Sequence, residues 1–363
     1  MLRPAVMTNS RIVACFVATL MCQMFLTNAF AASDAPAPAA ATNRPPMIQS
    51  MGVDPSLEAR VLALDCRKLS ATDIADTLAR APAPRIFLLH GGIYPVHLVM
   101  ESFARFLVQM GYPEASIRNT ETGEWSYTPY DTTDHLVGLI GAAYEREGMR
   151  PMIVGHSQGG LFAVKILKHL AGQLGERDRI YDPNRGQYLD SKMIVDPLTG
   201  RERPVIGLSV SYATAVGAGG FALALPAWWE SLDTLRKIPD SVDEFTGFFV
   251  GNDVIALSFA GNPLDSRYVA TGKAAVRNVE LSSTTSHITL PDTEDLAPDP
   301  QARAWIEAYM PDTGADPSGL SPDAQKHAIW AADVWYSIKK HWCLESQALL
   351  RARRAVVAGK PAA

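Results

Sequence analysis

Cysteine is scarce in this chain of 363 residues, with four in all. Cys15 and Cys22 fall in an apolar N-terminal stretch, which leaves Cys66 and Cys343 for the folded part. Neither belongs to a Cys/His cluster of zinc spacing, and no H-E-x-x-H occurs, so no metal site is expected. Positive charge is not in excess: the formal net charge is -5. That balance speaks against a nucleic-acid partner and against a basic membrane-binding surface. No internal repeat is present, which excludes a solenoid or propeller. Residues 205–229 carry no charge, yet they hold four glycines, several Ser and Thr, and Pro226. They read as a buried strand to about Val216, a loop and an apolar helix rather than as a membrane span. The run Gly217 to Ala222 fits a loose G-x-G-x-x-A pattern, but no βαβ unit with a ribose-binding acid flanks it. No cofactor is expected.

The two ends differ from the middle. Arg3 and Arg11 precede an apolar run from Ile12 to about Thr27, followed by Asn28-Ala29-Phe30-Ala31. A basic segment, a short apolar core and an Ala-x-Ala site describe a signal peptide over residues 1–31 and predict export, to the periplasm or the medium. A retained anchor helix is the competing reading, and the run is short for one. Residues 32–46 are Ala/Pro-rich and read as a linker. The folded domain is expected over residues 47–350, with a basic, frayed tail over 351–363. After export, Cys66 and Cys343 form an even pair in an oxidising compartment. A disulfide between the N-terminal segment and the C-terminal helix is then the expectation, with two buried free thiols the alternative.

From residue 85 strand-like and helix-like segments alternate, the pattern of a parallel sheet covered on both faces. Arg85–Leu89, Pro151–Val154, the stretch ending at Val216, Phe248–Val250 and Ala275–Leu281 read as strands. Met100, Phe103, Leu107 and Met110 recur at helical spacing; residues 134–147 and 159–174 give two more helices, and 323–343 a C-terminal one rich in Trp. Two turn signals, Asp182 to Gly186 and Asp196 to Gly200, suggest a surface hairpin. An insertion over about 175–245 is expected as a small cap. Phe221, Leu223, Leu225, Trp228, Trp229, Leu232 and Leu235 form it, or else they simply cover the sheet.

Gly155-His156-Ser157-Gln158-Gly159 is the one G-x-S-x-G in the chain, and it stands between a strand and a helix. A serine on that sharp turn is exposed above the sheet, and the glycines give the turn room. The helix start beneath it favours negative charge on an intermediate. With His90-Gly91-Gly92 after an earlier strand and the order of elements to about residue 290, the chain resembles the lipase and esterase branch of the α/β-hydrolase superfamily. The resemblance implies an α/β-hydrolase fold, Ser157 as nucleophile, and an oxyanion hole made by the backbone N–H of Gly92 (or Gly91) and of Gln158. Its chain order of Ser, acid, His points to Asp253, just past a strand, with Asp265 the alternative; Asp240 and Asp243 precede the strand and fit less well. His287, in the polar loop after the last strand, is the expected base. The other histidines belong to motif loops, helix ends or the C-terminal helix.

The function this implies is cleavage of a small-molecule or lipid-like carboxylic ester through an acyl-enzyme, without metal. Alternatives on the same residues are thioesterase, acyltransferase or haloperoxidase chemistry, or a non-catalytic binding protein of the same fold.

Overall fold

A computed structural model describes residue 48 and residues 51–174, 179–219, 234–256, 267–282 and 284–358. The expected signal peptide and linker, the cap residues from Phe221 to Leu232, and Asp265 lie outside the described residues. Five apolar segments form one sheet: β1 (Ile86–Leu89), β2 (Met152–His156), β3 (Val210–Val216), β4 (Val242–Val250) and β5 (Ala275–Leu281). Every neighbouring pair is parallel, and the order across the sheet is the order in the chain. All residues of β1, β2 and β3 are buried. That explains their continuous apolar runs, because a sheet covered on both faces has no solvent side.

The helices are α1 (Pro55–Ala63), α2 (Ala71–Asp76), α3 (Tyr94–Gln109), α4 (Thr133–Glu147), α5 (Gln158–Leu170), α6 (Pro300–Ala308) and α7 (Pro322–Val357). Alternation along β1 assigns them to layers. Ile86 and Leu88 pack with Phe103 and Leu107 of α3 and with Trp330 and Trp342 of α7. Phe87 and Leu89 face the other way, onto Leu136 and Ile140 of α4 and Leu161 and Phe162 of α5. Helix, sheet and helix form the three layers of an α/β protein. The punctuation of α4 is as its sequence suggests: Thr132 accepts from His135 N–H at its start, and Gly148 stops it at φ 69°.

Several segments differ from expectation. β4 begins at Val242, not Phe248, and so includes Asp243 and Glu244. Those charges hide a strand from a hydrophobicity pattern, but both are paired. Asp243 lies 2.7 Å from Arg150, and Glu244 bonds Lys340, His341 and Ser337 of α7. The first part of the tail expected to fray is helical: α7 continues to Val357, and Arg353 and Arg354 pair with the buried Glu58 of α1, while residues 359–363 lie outside the described residues. The two turn signals close two separate antiparallel hairpins, Ile180–Asp182 with Gln187–Leu189 and Met193–Val195 with Glu202–Pro204. Neither α1 nor α2 was foreseen. No described helix is long and apolar enough to cross a membrane.

Helix α7 carries much of the order. Trp330, Trp335 and Trp342 are fully buried. Asp333, also fully buried, receives Arg277 of β5 at 2.5 and 2.6 Å and the Tyr309 hydroxyl at 2.9 Å. Cys343 is disulfide-bonded to Cys66, with the Cα atoms 5.4 Å apart. A bridge across 277 residues of sequence constrains the unfolded chain by as much as roughly 5 kcal/mol in the chain-entropy account.

The Glu244 cluster makes stability depend on pH. Burial alone raises this carboxyl, but hydrogen bonds from His341 and Lys340, and their charges, outweigh it and bring it from 4.5 to about 2. A carboxyl depressed on folding stabilises above its unfolded value, here 4.5, and loses that contribution as pH falls toward about 2. The contribution is up to about 3 kcal/mol. Glu244→Gln should therefore lower stability at pH 7 and narrow its gap to wild type between pH 4.5 and 2. Urea melts across that range check it, and parallel curves would contradict it.

Candidate active site

The carboxyl ends of all five strands meet at one edge of the sheet, and the candidate residues lie just past them. Gly91 and Gly92 follow β1, Ser157 follows β2, Gly217 follows β3, and Asp253 and His287 stand in the loops after β4 and β5. An open parallel sheet places its ligand crevice at this edge.

Ser157 holds φ 55° and ψ −122°, a region that non-glycine residues rarely adopt. The turn is fixed on both sides. Its N–H donates to Val216 of β3 at 2.8 Å, and its carbonyl accepts from Gly160 at 3.0 Å in the first turn of α5. The flanking glycines are required by contact. A Cβ at Gly155 would lie 2.4 Å from the Gly159 carbonyl oxygen, and one at Gly159 would lie 2.2 Å from that of Leu89.

The structure brings Ser157, His287 and Asp253 into one hydrogen-bonded series. Ser157 Oγ lies 2.9 Å from His287 Nε2, and His287 Nδ1 lies 2.6 Å from Asp253 Oδ2. Asp253 is spoken for on its other oxygen, which accepts the N–H of Ile255 at 3.0 Å and of Ala256 at 2.9 Å. Both His287 and Asp253 are buried, whereas Ser157 and Gln158 are half-exposed. The carboxylate fixes the proton on Nδ1, so Nε2 is the acceptor that faces the serine hydroxyl. Such a series can withdraw a proton from Oγ as the oxygen attacks an electrophile. The N–H groups of Gly92 and Gln158 meet no acceptor among the described residues. Gly91 packs on Ser157, where a Cβ would come 3.0 Å from that of the serine. The two acids judged a poor fit have other partners: Asp240 receives the N–H of Lys273 and Ala274, and Asp243 receives Arg150.

Three supporting residues escaped the sequence. His156 is completely buried, and its Nε2–H donates to the His287 carbonyl at 2.7 Å. Burial, with the charge of His287, pushes its pKa down to about 3, so it stays neutral and keeps its donor. His327 of α7 donates from Nδ1 to the Leu290 carbonyl at 3.1 Å, holding the same loop from the other side. Gly217, at φ 56°, is the floor of the imidazole: a Cβ there would stand 2.8 Å from His287 Cε1 and Nδ1. Its place directly after the strand beside Ser157 was the available signal.

A cleft of about 640 Å³ opens elsewhere, between α4 and the hairpins, lined by Arg85, Glu121, Glu145 and Asn184 among others. No Ser, Cys or His is among the residues that line it, and none of Ser157, Asp253 and His287 reaches it.

The fold and this edge define an α/β protein with a parallel five-stranded sheet and flanking helices. No protein-family model and no curated protein matches the chain.

The Gly217 contact generates a test. Gly217→Ala adds a Cβ against the imidazole and a left-handed backbone cost of roughly 1–2 kcal/mol. Labelling of Ser157 by a fluorophosphonate probe should slow at least about tenfold, while a thermal scan still shows a folded protein. Labelling at the wild-type rate would show that His287 does not rest on this glycine.

Proposed function

We propose that the chain is a serine hydrolase of the α/β-hydrolase fold that cleaves carboxylic esters, of esterase or lipase type. The observation that carries the reading is the series Ser157–His287–Asp253, buried from the imidazole inward and open at the hydroxyl. In the first half-reaction His287 Nε2 takes the proton of Ser157 as Oγ bonds to the ester carbonyl carbon. Asp253 keeps the imidazole in its useful tautomer and stabilises its charged form. The oxyanion is held by the N–H of Gly92 and of Gln158; such a donor is worth on the order of 10²–10³ in rate. Collapse expels the alcohol, which takes the proton from His287 and leaves an acyl group on Ser157. In the second half a water gives its proton to the same nitrogen and attacks the acyl carbon; the bond to Ser157 Oγ breaks, Oγ takes that proton back from His287, and the carboxylic acid leaves.

Ile93, Tyr94 and Val254, beside the oxyanion loop and the acid, are exposed apolar side chains that suit an ester with a hydrophobic part. A small cap from the insertion over about 175–245 belongs to the same proposal. Export through the N-terminal signal belongs to the same reading, and the Cys66–Cys343 bond supports it, because disulfides persist in oxidising compartments.

Labelling of the purified protein with a fluorophosphonate separates this reading from that of a non-catalytic binding protein, and short and long p-nitrophenyl esters then define acyl preference. Ser157→Ala should abolish labelling and lower ester hydrolysis by roughly 10⁴–10⁶ with the fold intact. A variant retaining a tenth of wild-type turnover would end the proposal.

A further inference from the structure

The loop assigned to the oxyanion hole is two consecutive glycines with little of their own to hold them. His90 N–H donates to Tyr127 at 3.2 Å, and the N–H groups of Val96 and His97 donate to the Ile93 carbonyl. Between these points, among the described residues, neither Gly91 nor Gly92 makes a backbone–backbone hydrogen bond. Gly91 has a tie of its own, since His90 Nδ1–H donates to its carbonyl at 2.7 Å; Gly92 has none from its neighbours, and glycine has the widest choice of conformations. Fixing a backbone residue costs roughly 1–2 kcal/mol.

One side chain reaches across. The Tyr130 hydroxyl donates to the Gly92 carbonyl at 2.5 Å. Its ring is 62% exposed, so the residue is not held there by burial in the core. It is held by its neighbours instead. Tyr127 bridges Leu89 of β1 and donates its N–H to Leu88 at 2.7 Å. On the other side, Asp131 Oδ2 lies 2.5 Å from His135 Nδ1 in the first turn of α4. Sheet and helix thus place the phenol, and the phenol ties down the loop. Partial burial of Tyr130 raises its pKa above 10.0, which keeps the hydroxyl protonated as a donor.

We propose that Tyr130 is a positioning residue: its hydroxyl bond to the Gly92 carbonyl holds the glycine loop so that the Gly92 N–H meets the developing oxyanion. The inference rests on Ser157 being the nucleophile of an ester hydrolase. A donor that is misplaced by about 1 Å loses much of its effect on the transition state while substrate still binds. The hydroxyl should therefore appear in kcat and not in KM.

The test is steady-state hydrolysis of a p-nitrophenyl ester by wild type, Tyr130→Phe and Ser157→Ala, with a thermal scan of each. Tyr130→Phe removes one oxygen from an exposed side chain and should melt with wild type. Its kcat should fall about tenfold with KM within about twofold. If wild type hydrolyses the ester and Tyr130→Phe keeps kcat within about twofold, the positioning role is overturned. A rise in KM alone would make Tyr130 a substrate contact and overturn it as well. If wild type has no activity that Ser157→Ala removes, the hydrolase reading itself fails, which is a distinct result.

Discussion

Ser157 can keep a positive φ because the strand before it and the helix after it are fixed by burial. β2 is buried at every residue and lies between β1 and β3, so its last residue cannot relax toward the sheet. α5 buries most of its length against the same layer, so its first turn cannot swing away. The backbone strain at such a turn, of order 1–3 kcal/mol, is small beside that packing. It directs the side chain away from both elements, toward the edge where three loops arrive. Gly155 and Gly159 follow from the same constraint: a Cβ at Gly155 would strike the Gly159 carbonyl within the turn, and one at Gly159 would strike the Leu89 carbonyl of the neighbouring strand. The parallel register then sets where the partners stand. Val216, Val250 and Leu281 end their strands beside β2 in sequence across the sheet, so the loops that carry Gly217, Asp253 and His287 open on the same side.

The two ends of the sheet are used differently. Charges cluster at the amino half, where Arg150 joins Asp243 and Glu345, Glu244 joins Lys340 and His341, and Arg277 joins Asp333. Each ties a strand or its lead-in to α7, and all their members but the exposed Asp243 are partly or fully buried. Breaking one partner of such a pair strands a charge in a poor solvent, so these contacts define how α7 is seated more than they add net stability. At the carboxyl half the buried His156, Asp253 and His287 gather beside Ser157. α7 touches this end as well, through His327 and the loop of His287. One helix thereby seats the charged half of the sheet and steadies the His287 loop at the other.

How much of this was legible in the sequence follows from the range of each interaction. The Ser157 turn is written in five adjacent residues: Gly155 answers to a local contact with Gly159, although Gly159 itself answers to β1, about 70 residues earlier. The positions of His287 and Asp253 were legible at lower resolution, because a place after a strand end is a topological property that a strand pattern can carry. The start of β4 was not legible. Asp243 and Glu244 look wrong for a buried strand until Arg150 and Lys340, 93 and 96 residues away, supply their partners. The length of α7 was misjudged for the same reason, since Arg353 and Arg354 meet Glu58 nearly 300 residues earlier in the chain. His156 was passed over as a motif residue; its role rests on a carbonyl 131 residues on.

That last contact shows how a single residue can serve both the fold and the chemistry. His156 ends β2, so sheet pairing fixes its backbone, and its ring points into a space that excludes water. An imidazole buried so completely is held neutral, with its pKa at about 3, and a neutral ring has one donor to place. The His287 carbonyl takes it, which leaves Nδ1 of His156 buried without a partner. A buried unpaired nitrogen is destabilising. The loop therefore gains a donor at the cost of an acceptor left empty, and that exchange is sensible only if the position of His287 matters more than the stability lost. A phenylalanine would fill the same space without the orphaned atom but would release the carbonyl. The choice of histidine beside Ser157 is best understood as support for the imidazole opposite, carried by the strand that leads into Ser157.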